Sequence, residues 1–229
     1  MLPREDIPGG LHRRPGTPAL AVPSQRPRAS DGSGLPDCGL TGGGGRIRAS
    51  GRSSPLLIAN PAIVGPDPRI LVLGSFPGPL SLEMRQYYAH PRNAFWAILG
   101  ALCGFDAASP YPDRVAALLR AGVAVWDVVE RCRRDGSEDS AITEPRPADV
   151  PGLLAVHPGI GRVVINGKSV ARLYRLLIGP LPECAVVVPS TSPAHARMTL
   201  AEKTVAWREA LQGSGVTLAE GGRIATSRK

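Results

Sequence analysis

From residue 69 onward, short unbroken apolar runs alternate with stretches in which apolar residues recur every three or four positions. Unbroken apolar runs are typical of strands buried on both faces, whereas the wider spacing is typical of amphipathic helices. Their alternation predicts a three-layer α/β/α sandwich around a central, mostly parallel, four-stranded sheet. The predicted strands are residues 70–74, 123–126, 162–166 and 185–189, and the predicted helices are residues 93–103, 112–120, 168–178 and 199–212.

The remaining segments lack these patterns. Residues 130–156 combine charges with prolines, which predicts a loop with one short helix. Residues 1–68 are rich in Gly, Pro, Ser and Arg, so we predict a mostly disordered basic tail, followed by a domain over residues 69–213 and a flexible tail over residues 214–229. Residues 1–55 carry eight Arg against four acidic residues. Such a tail can hold DNA loosely, or it is a dispensable extension or a result of placing the start codon too early.

Composition narrows the function classes. The net charge of +8 and the isoelectric point near 9.9 favour a polyanionic partner, although many basic domains bind nothing specific. The four cysteines are widely spaced and form no C-x-x-C pair, so we expect reduced, mostly buried thiols, no bound metal and no cofactor. No apolar run approaches the roughly 20 residues that span a bilayer, so we expect a cytoplasmic protein.

Polar or turn-forming residues follow all four predicted strands. In open α/β sheets, ligands bind beyond the carboxyl ends of the strands, where loops leave and helices begin. The sequence therefore predicts that these residues border one cleft. They are residues 75–78 (SFPG), Asp127, residues 166–168 (NGK) and residues 189–193 (PSTSP).

Three motifs carry a family resemblance. The strand at 70–74 leads into G-S-F-P-G (74–78), and Y-Y-A-H-P-R-N-A-F-W (87–96) and S-T-S-P-A (190–194) follow. W-D-V (126–128) and G-S-x-D-x-x-I (136–142) agree as well. Together they resemble the uracil-DNA glycosylase superfamily and, within it, the hypoxanthine-DNA glycosylase branch. Mismatch-specific uracil and thymine glycosylases, which carry G-I-N-P-G, are the alternative, but Phe76 stands here where they have a water-positioning Asn.

The resemblance implies a monofunctional DNA glycosylase of base excision repair with a uracil-DNA glycosylase-like fold. Such an enzyme flips a deaminated base out of DNA and hydrolyses its N-glycosidic bond. Hypoxanthine is the implied base, and uracil and xanthine are the other candidates. We expect a metal-free, nucleoid-associated monomer whose partner is DNA containing deaminated bases. No Lys occupies an evident active-site position, which argues against a Schiff-base mechanism.

Asn93 and Ser75 are the predicted catalytic residues. An amide can accept a hydrogen bond from a water while it donates to a base or sugar oxygen, and the resemblance assigns Asn93 that position. The alternative for Asn93 is a helix cap. His90 is a candidate proton donor, but a lone His beside Pro is more often structural.

The predicted base pocket contains Phe76, Pro77, Gly78, Tyr88 and Asp127. Tyr88 is the expected ring that stacks on the extruded base, and its neighbour in the Tyr pair is expected in the core, as are the Phe and Trp that follow Asn93. Asp127 occupies the position where uracil-specific relatives keep a base-binding Asn. Its alternative is an ion pair with Arg131 or Arg133.

A third set of residues is predicted to contact the DNA around the lesion. The resemblance assigns the 190–195 segment to the wedge that fills the gap left by the extruded nucleotide, with a Pro-stabilised turn as the alternative. Residues 166–168 open a helix after a strand, a geometry that suits phosphate binding. The predicted residues are Asn166, Lys168, Ser190, Ser192, Pro193 and His195, with Arg131, Arg133, Arg134, Arg172 and Arg197 as further phosphate contacts or as solvated charges.

Two functions from other classes remain open. One is a noncatalytic DNA-binding module on the same fold, and the other is an unrelated α/β hydrolase that acts on a small nucleoside or ester. A G-x-S-x-G nucleophile elbow would favour the ester hydrolase, and the sequence contains none.

Overall fold

A computed structural model describes residues 54–219. The strands in chain order are β1 (Leu56–Ile58), β2 (Ile70–Gly74), β3 (Val123–Asp127), β4 (Val129–Arg134), β5 (Ile142–Pro147), β6 (Arg162–Asn166) and β7 (Ala185–Val188). The helices are α1 (Pro79–Met84), α2 (Phe95–Cys103), α3 (Tyr111–Arg120), α4 (Val150–Val156), α5 (Lys168–Leu177) and α6 (Leu200–Leu211), with a short 3₁₀ turn at Asp139–Ala141.

The central sheet contains four parallel strands in the order β3-β2-β6-β7. Alternate residues of β2 enter two separate cores. Ile70 and Val72 pack with residues of α2, α3 and α6, whereas Leu71 and Leu73 pack with residues of α4 and α5. Helices therefore cover both faces, and the predicted three-layer α/β/α sandwich with its four strands is confirmed. Each of these four side chains is fully buried, which stabilises the fold by about 1.5–3 kcal/mol per side chain.

A second sheet, antiparallel and ordered β1-β4-β5, contradicts the prediction of a loop and one short helix for residues 130–156. The one short helix predicted in that segment is present as α4. The pattern was missed because the buried residues of β4, Val129, Cys132 and Arg134, do not alternate regularly, and the other three residues of the strand are charged and more exposed. Pro145 and Pro147 are accommodated because β5 is an edge strand, which tolerates residues without an N–H donor.

The domain begins earlier than the predicted boundary at residue 69. Leu57 of β1 pairs with Cys132, and Ile63 forms an antiparallel bridge with Val125. A strand of three residues is too short to show a hydrophobic period, so composition alone assigned it to the tail. At the other end, the Ala219 N–H donates to Leu102 O at 2.7 Å, so residues of the predicted C-terminal tail also pack on the domain. Residues 1–53 and 220–229 of the predicted tails lie outside the described residues.

The described cysteines are free thiols, of which Cys132 is buried, Cys103 is half-buried and Cys184 is exposed. The expectation of mostly buried thiols therefore holds for Cys132 and is wrong for Cys184, whereas Cys38 lies outside the described residues. Within residues 54–219, no cluster of three or more His, Cys, Asp or Glu side chains is arranged to hold a metal ion. None of the helices described has the length and apolar character of a bilayer-spanning helix.

Candidate functional site

The carboxyl ends of β2, β3 and β6 meet at one edge of the central sheet, where three predicted residues, Tyr88, Asp127 and Asn166, lie close to Gly74. Gly74 ends β2, and a Cβ at this position would overlap Asp127 Oδ1 and lie 3.1 Å from the Tyr88 hydroxyl. Asn166 Nδ2 donates to that hydroxyl at 3.2 Å. The absence of a side chain at Gly74 thus makes room for a polar cluster of Tyr88, Asp127 and Asn166, as the cleft at the strand ends predicts.

Asp127 is a buried carboxyl, only 4% exposed, and its Oδ2 has no hydrogen-bond partner among the described residues. Burial, together with the negative charge of Asp139, raises its pKa to about 7, although the positive charge of Arg134 opposes this rise. The alternative of an ion pair with Arg131 or Arg133 is wrong. In the part of the chain that the structure describes, Asp127 forms no salt bridge, and Arg133 Nε instead contacts Glu144 Oε2 at 3.1 Å.

Tyr88 is held in a left-handed backbone conformation with φ near 52°, which is an outlier for a bulky residue. Its ring stacks on Phe95 with centroids 3.9 Å apart and an interplanar angle of 19°. The side-chain amide of Asn166 donates to the Tyr88 hydroxyl. Burial raises the pKa of this phenol, so the hydroxyl stays protonated. Backbone strain of this kind costs about 1–3 kcal/mol and persists where surrounding contacts fix it. The ring is therefore presented in one orientation, with one face against Phe95.

The neighbouring aromatic residues belong to the core, as expected. Tyr87 is 3% exposed, and its hydroxyl donates to the carbonyls of Asn60 and Pro61. Phe95 is fully buried and Trp96 is 5% exposed. The core interpretation of these three rings is confirmed.

Side chains of the second sheet and its connection hold the loop of residues 74–78. Ser75 Oγ donates to Asp139 Oδ1 at 2.6 Å, and Arg134 Nη2 donates to Pro77 O at 2.6 Å. The Arg134 guanidinium also lies 4.9 Å from the centroid of the Phe76 ring, within cation–π range. Phe76 is 6% exposed, so in this conformation it lies beneath Arg134 rather than on an open surface. Gly78 caps α1 with ordinary backbone angles.

Three residues that bind the polar cluster or the 74–78 loop were not predicted as site residues. Asp139 and Thr191 lie inside quoted motifs, so the motifs themselves contained the signal. Arg134 was expected as a phosphate contact or solvated charge, but it is only 3% exposed, and nothing in the sequence separates it from Arg133 beside it. Thr191 is 1% exposed, and its N–H and hydroxyl bond to Asn166 at 2.9 Å each.

Asn93 is half-buried at the start of α2. Its Oδ1 accepts from the Phe95 N–H at 3.0 Å. The N-cap of α2 is Ala94, so Asn93 is not the N-cap itself, but its side chain satisfies one free N–H of the first helical turn. A carbonyl oxygen has a second lone pair, which leaves Asn93 able to accept from a water as well. The next N–H, of Ala94, donates to Thr191 O at 3.0 Å and joins this turn to the 190–195 segment. His90 is exposed, and its Nδ1 accepts from the Arg92 N–H, a local structural contact.

The 190–195 segment is a succession of short-range serine turns. Ser190 Oγ accepts from the Ser192 N–H at 3.2 Å, and Ser192 Oγ accepts from the N–H of Ala194, which follows Pro193, at 3.3 Å. The segment ends at His195, whose carbonyl accepts from Lys203 Nζ at 2.8 Å. The turn interpretation is confirmed, and the wedge role stays a prediction. Through Thr191 and Asn166 the segment is fixed against the end of β6.

Asn166 and Lys168, predicted together, separate in the structure. Asn166 faces the polar cluster, whereas Lys168 is exposed at the first turn of α5. Lys168, Arg172 and Arg175 are spaced by four and three residues and form one basic row, the α5 stripe, about 10 Å long. With Ala171 and Val187 they line a groove of about 410 Å³. No carboxylate of the described residues forms a salt bridge with these three cations.

Comparison with known proteins identifies the family of the chain. The sequence profile of the Uracil DNA glycosylase superfamily matches residues 61–212. A protein from Methanosarcina barkeri named "Hypoxanthine DNA glycosylase" is 33% identical over 153 residues, which cover 66% of this chain and 96% of the relative. A protein of the same name from Methanosarcina acetivorans is 32% identical over 140 residues, covering 61% of this chain and 88% of the relative.

A solved structure is similar as well. It is the solution NMR structure of a proposed uracil DNA glycosylase from Methanosarcina acetivorans, with 29% identity and a TM-score of 0.56. The match covers 68% of this chain and 98% of that one. The profile match spans more than half of the chain and includes the polar cluster, the 190–195 segment and α6. By its sequence and its fold, the chain belongs to the Uracil DNA glycosylase superfamily.

Proposed function

We propose that this protein is a monofunctional DNA glycosylase that extrudes hypoxanthine from DNA and hydrolyses its N-glycosidic bond. The observation that carries the proposal is the buried Asp127 carboxyl, which lies beside Tyr88 and Asn166 where the central strands end. Two relatives named hypoxanthine DNA glycosylases support the choice of base. Uracil and xanthine are the other deaminated bases that the same chemistry accommodates.

The carboxyl of Asp127 suits the chemical difference between a deaminated base and its parent. Deamination of adenine turns the N1 acceptor into an N1–H donor in hypoxanthine. An ionised carboxylate only accepts hydrogen bonds, so it pairs with this N–H and repels the lone pair on adenine N1. An unpaired buried polar group costs about 1–3 kcal/mol, which disfavours adenine by roughly 5- to 150-fold.

Tyr88 and the surrounding loop hold the extruded base. Stacking of a base on an aromatic ring contributes about 1–3 kcal/mol, and the fixed orientation of Tyr88 lowers the entropy cost of that contact. Because Asp127 is 4% exposed, a base reaches it only after a neighbouring loop moves. Ser75 acts on the site through the 74–78 loop, since its hydroxyl is occupied by Asp139.

Asn93 is the residue proposed to bind the attacking water. In the transition state the sugar gains positive charge and the base gains negative charge, so a correctly placed water accelerates the reaction without a covalent intermediate. Ser190, Ser192, Pro193 and His195 form the proposed wedge beside it. The α5 stripe supplies the proposed contacts with DNA phosphates.

The test is cleavage of duplexes that contain a single hypoxanthine, uracil or xanthine, followed by alkali treatment to reveal abasic sites. We expect hypoxanthine to be released fastest. If binding persists but no abasic site forms with any lesion, the protein is a noncatalytic DNA-binding module and the proposal is wrong. Faster release of uracil or mispaired thymine would favour a mismatch-type glycosylase instead.

The role of Asn93 is separated from helix capping by a matched control. Asn93→Ala removes the side-chain acceptor of the Phe95 N–H at the start of α2, and Asp149→Ala removes the N-cap that accepts from the Gly152 N–H of α4 at 2.9 Å. Both variants should lose about 1 kcal/mol of stability. Only Asn93→Ala should also slow single-turnover release of hypoxanthine, by about 100-fold or more. Equal rates for the two variants would leave Asn93 a helix cap alone.

A further inference from the structure

Two charged residues outside the predicted pocket, Arg134 of β4 and Asp139 of the 3₁₀ turn, bind the 74–78 loop and influence the pKa of Asp127. Asp139 is held there by Ser75, and Arg134 is held by the carbonyl of Pro77, each at 2.6 Å. Asp127 lies against Gly74 at the start of the same loop. The guanidinium of Arg134 and the carboxyls of Asp127 and Asp139 therefore all lie close to the five residues of the 74–78 loop.

Hydrogen bonds do not fully pair the charged groups of Arg134 and Asp127. Arg134 Nε and Nη1 and Asp127 Oδ2 are buried without a hydrogen-bond partner among the described residues. Burial raises the pKa of Asp139 as it does that of Asp127, and Arg134 lowers both. The positive charge of Arg134 thus opposes the rise that burial causes in the pKa of both carboxyls.

The other titratable groups that face Asp127 do not share this effect. They are the phenols of Tyr87 and Tyr88, and burial raises the pKa of each, so both stay neutral in the range where a carboxyl titrates. Besides burial, the pKa of Asp127 is therefore affected by two charges of opposite sign, Arg134, which lowers it, and Asp139, which raises it.

We propose that Arg134 and Asp139 are positioning residues of opposite sign for Asp127, Arg134 holding it as the anion that accepts a hydrogen bond from the extruded base and Asp139 driving it toward the neutral acid. The inference rests on the proposed glycosylase function. The anion pairs with the N–H that deamination creates, whereas the neutral acid donates to the N1 acceptor of adenine. The two residues thereby set the pH range in which the site prefers a deaminated base.

The experiment measures single-turnover release of hypoxanthine from a duplex as a function of pH, using the full chain. The rate of the wild-type protein should rise with pH to a plateau, with a midpoint near the pKa of Asp127, about 7. Arg134→Gln should move the midpoint upward by about 1 pH unit, and Asp139→Asn should move it downward by a similar amount. Arg134→Lys keeps the charge and should restore the wild-type midpoint even if its plateau rate is lower.

Arg133→Gln is the matched control, because Arg133 lies on the same strand but binds Glu144 and the carbonyl of Ser54 instead. Its midpoint should equal that of the wild-type protein. Residues that merely support the fold would lower the plateau without moving the midpoint, so equal midpoints for Arg134→Gln, Asp139→Asn and the wild type overturn the inference. If Arg134→Gln does not fold, the downward shift of the midpoint in Asp139→Asn tests the inference by itself.

A second readout needs no catalysis. The NMR chemical shift of the Asp127 carboxyl carbon, assigned by its loss in Asp127→Asn, reports the titration directly in the free protein. Opposite displacements in Arg134→Gln and Asp139→Asn are expected here too, and coincident titrations overturn the inference. A protein that cleaves none of the three lesions would refute the proposed function while this titration still decides the electrostatic part.

Discussion

Replacing Asp127 by Asn should make the protein less sensitive to rising pH, because the buried carboxyl destabilises the fold once it ionises. Its pKa rises from the ordinary value of 3.8 to about 7 in the folded protein. A raised pKa means that the folded state binds the proton more tightly than the unfolded chain. The stability from this group is therefore complete below about pH 4 and is lost as the pH rises through about 7.

The magnitude follows from the displacement of the pKa. About three pKa units at 1.36 kcal/mol each give about 4 kcal/mol above pH 7, of which about 2–3 kcal/mol falls between roughly pH 5 and pH 7.5. Relative to Asp127→Asn, the wild-type protein should lose that amount of unfolding free energy across this window. The stabilised variant should nevertheless lose glycosylase activity, as is common when a destabilising functional group is removed.

The assay is urea denaturation followed by tryptophan fluorescence at several pH values, since Trp96 and Trp207 are buried and report unfolding of the domain. The difference between the two proteins cancels the titration of the remaining groups. Asp135→Asn, at an exposed position, controls for the loss of one negative charge. Parallel stability curves for the wild type and Asp127→Asn would refute the reasoning, because they would show that the folded carboxyl titrates like that of the unfolded chain.

Two further predictions concern DNA binding and close packing. Replacing all three cations of the α5 stripe with Gln should reduce the slope of log affinity against log salt concentration by about 2–3. Release of hypoxanthine at saturating enzyme should change little. An unchanged slope would show that the groove does not contact phosphates. Gly74→Ala should destabilise the protein by about 1–3 kcal/mol, because a Cβ there overlaps Asp127 Oδ1 and crowds the Tyr88 hydroxyl. Gly161→Ala, where a Cβ meets nothing within 4 Å, is the control, and equal unfolding free energies would contradict the packing argument.

The sequence alone determined the central sheet and its covering helices. Each central strand is a short run of residues buried on both faces, so its signal is local and independent of its neighbours. Helix α6 was similarly evident, and its first turn forms a capping box between Thr199 and Glu202. The strand ends also marked where Asp127 and Asn166 lie, because parallel strands present their carboxyl ends at the same edge.

The tertiary structure decided the second sheet and the electrostatics of the site. Strand β1 pairs with β4 across more than 70 residues of chain, and no local pattern records such a pairing. Within β4, Arg134 is buried at 3% exposure whereas Arg133 binds Glu144, although the two arginines are adjacent in the sequence. Residue type and spacing fix which groups can carry charge, but burial and distant partners fix how strongly each holds its proton.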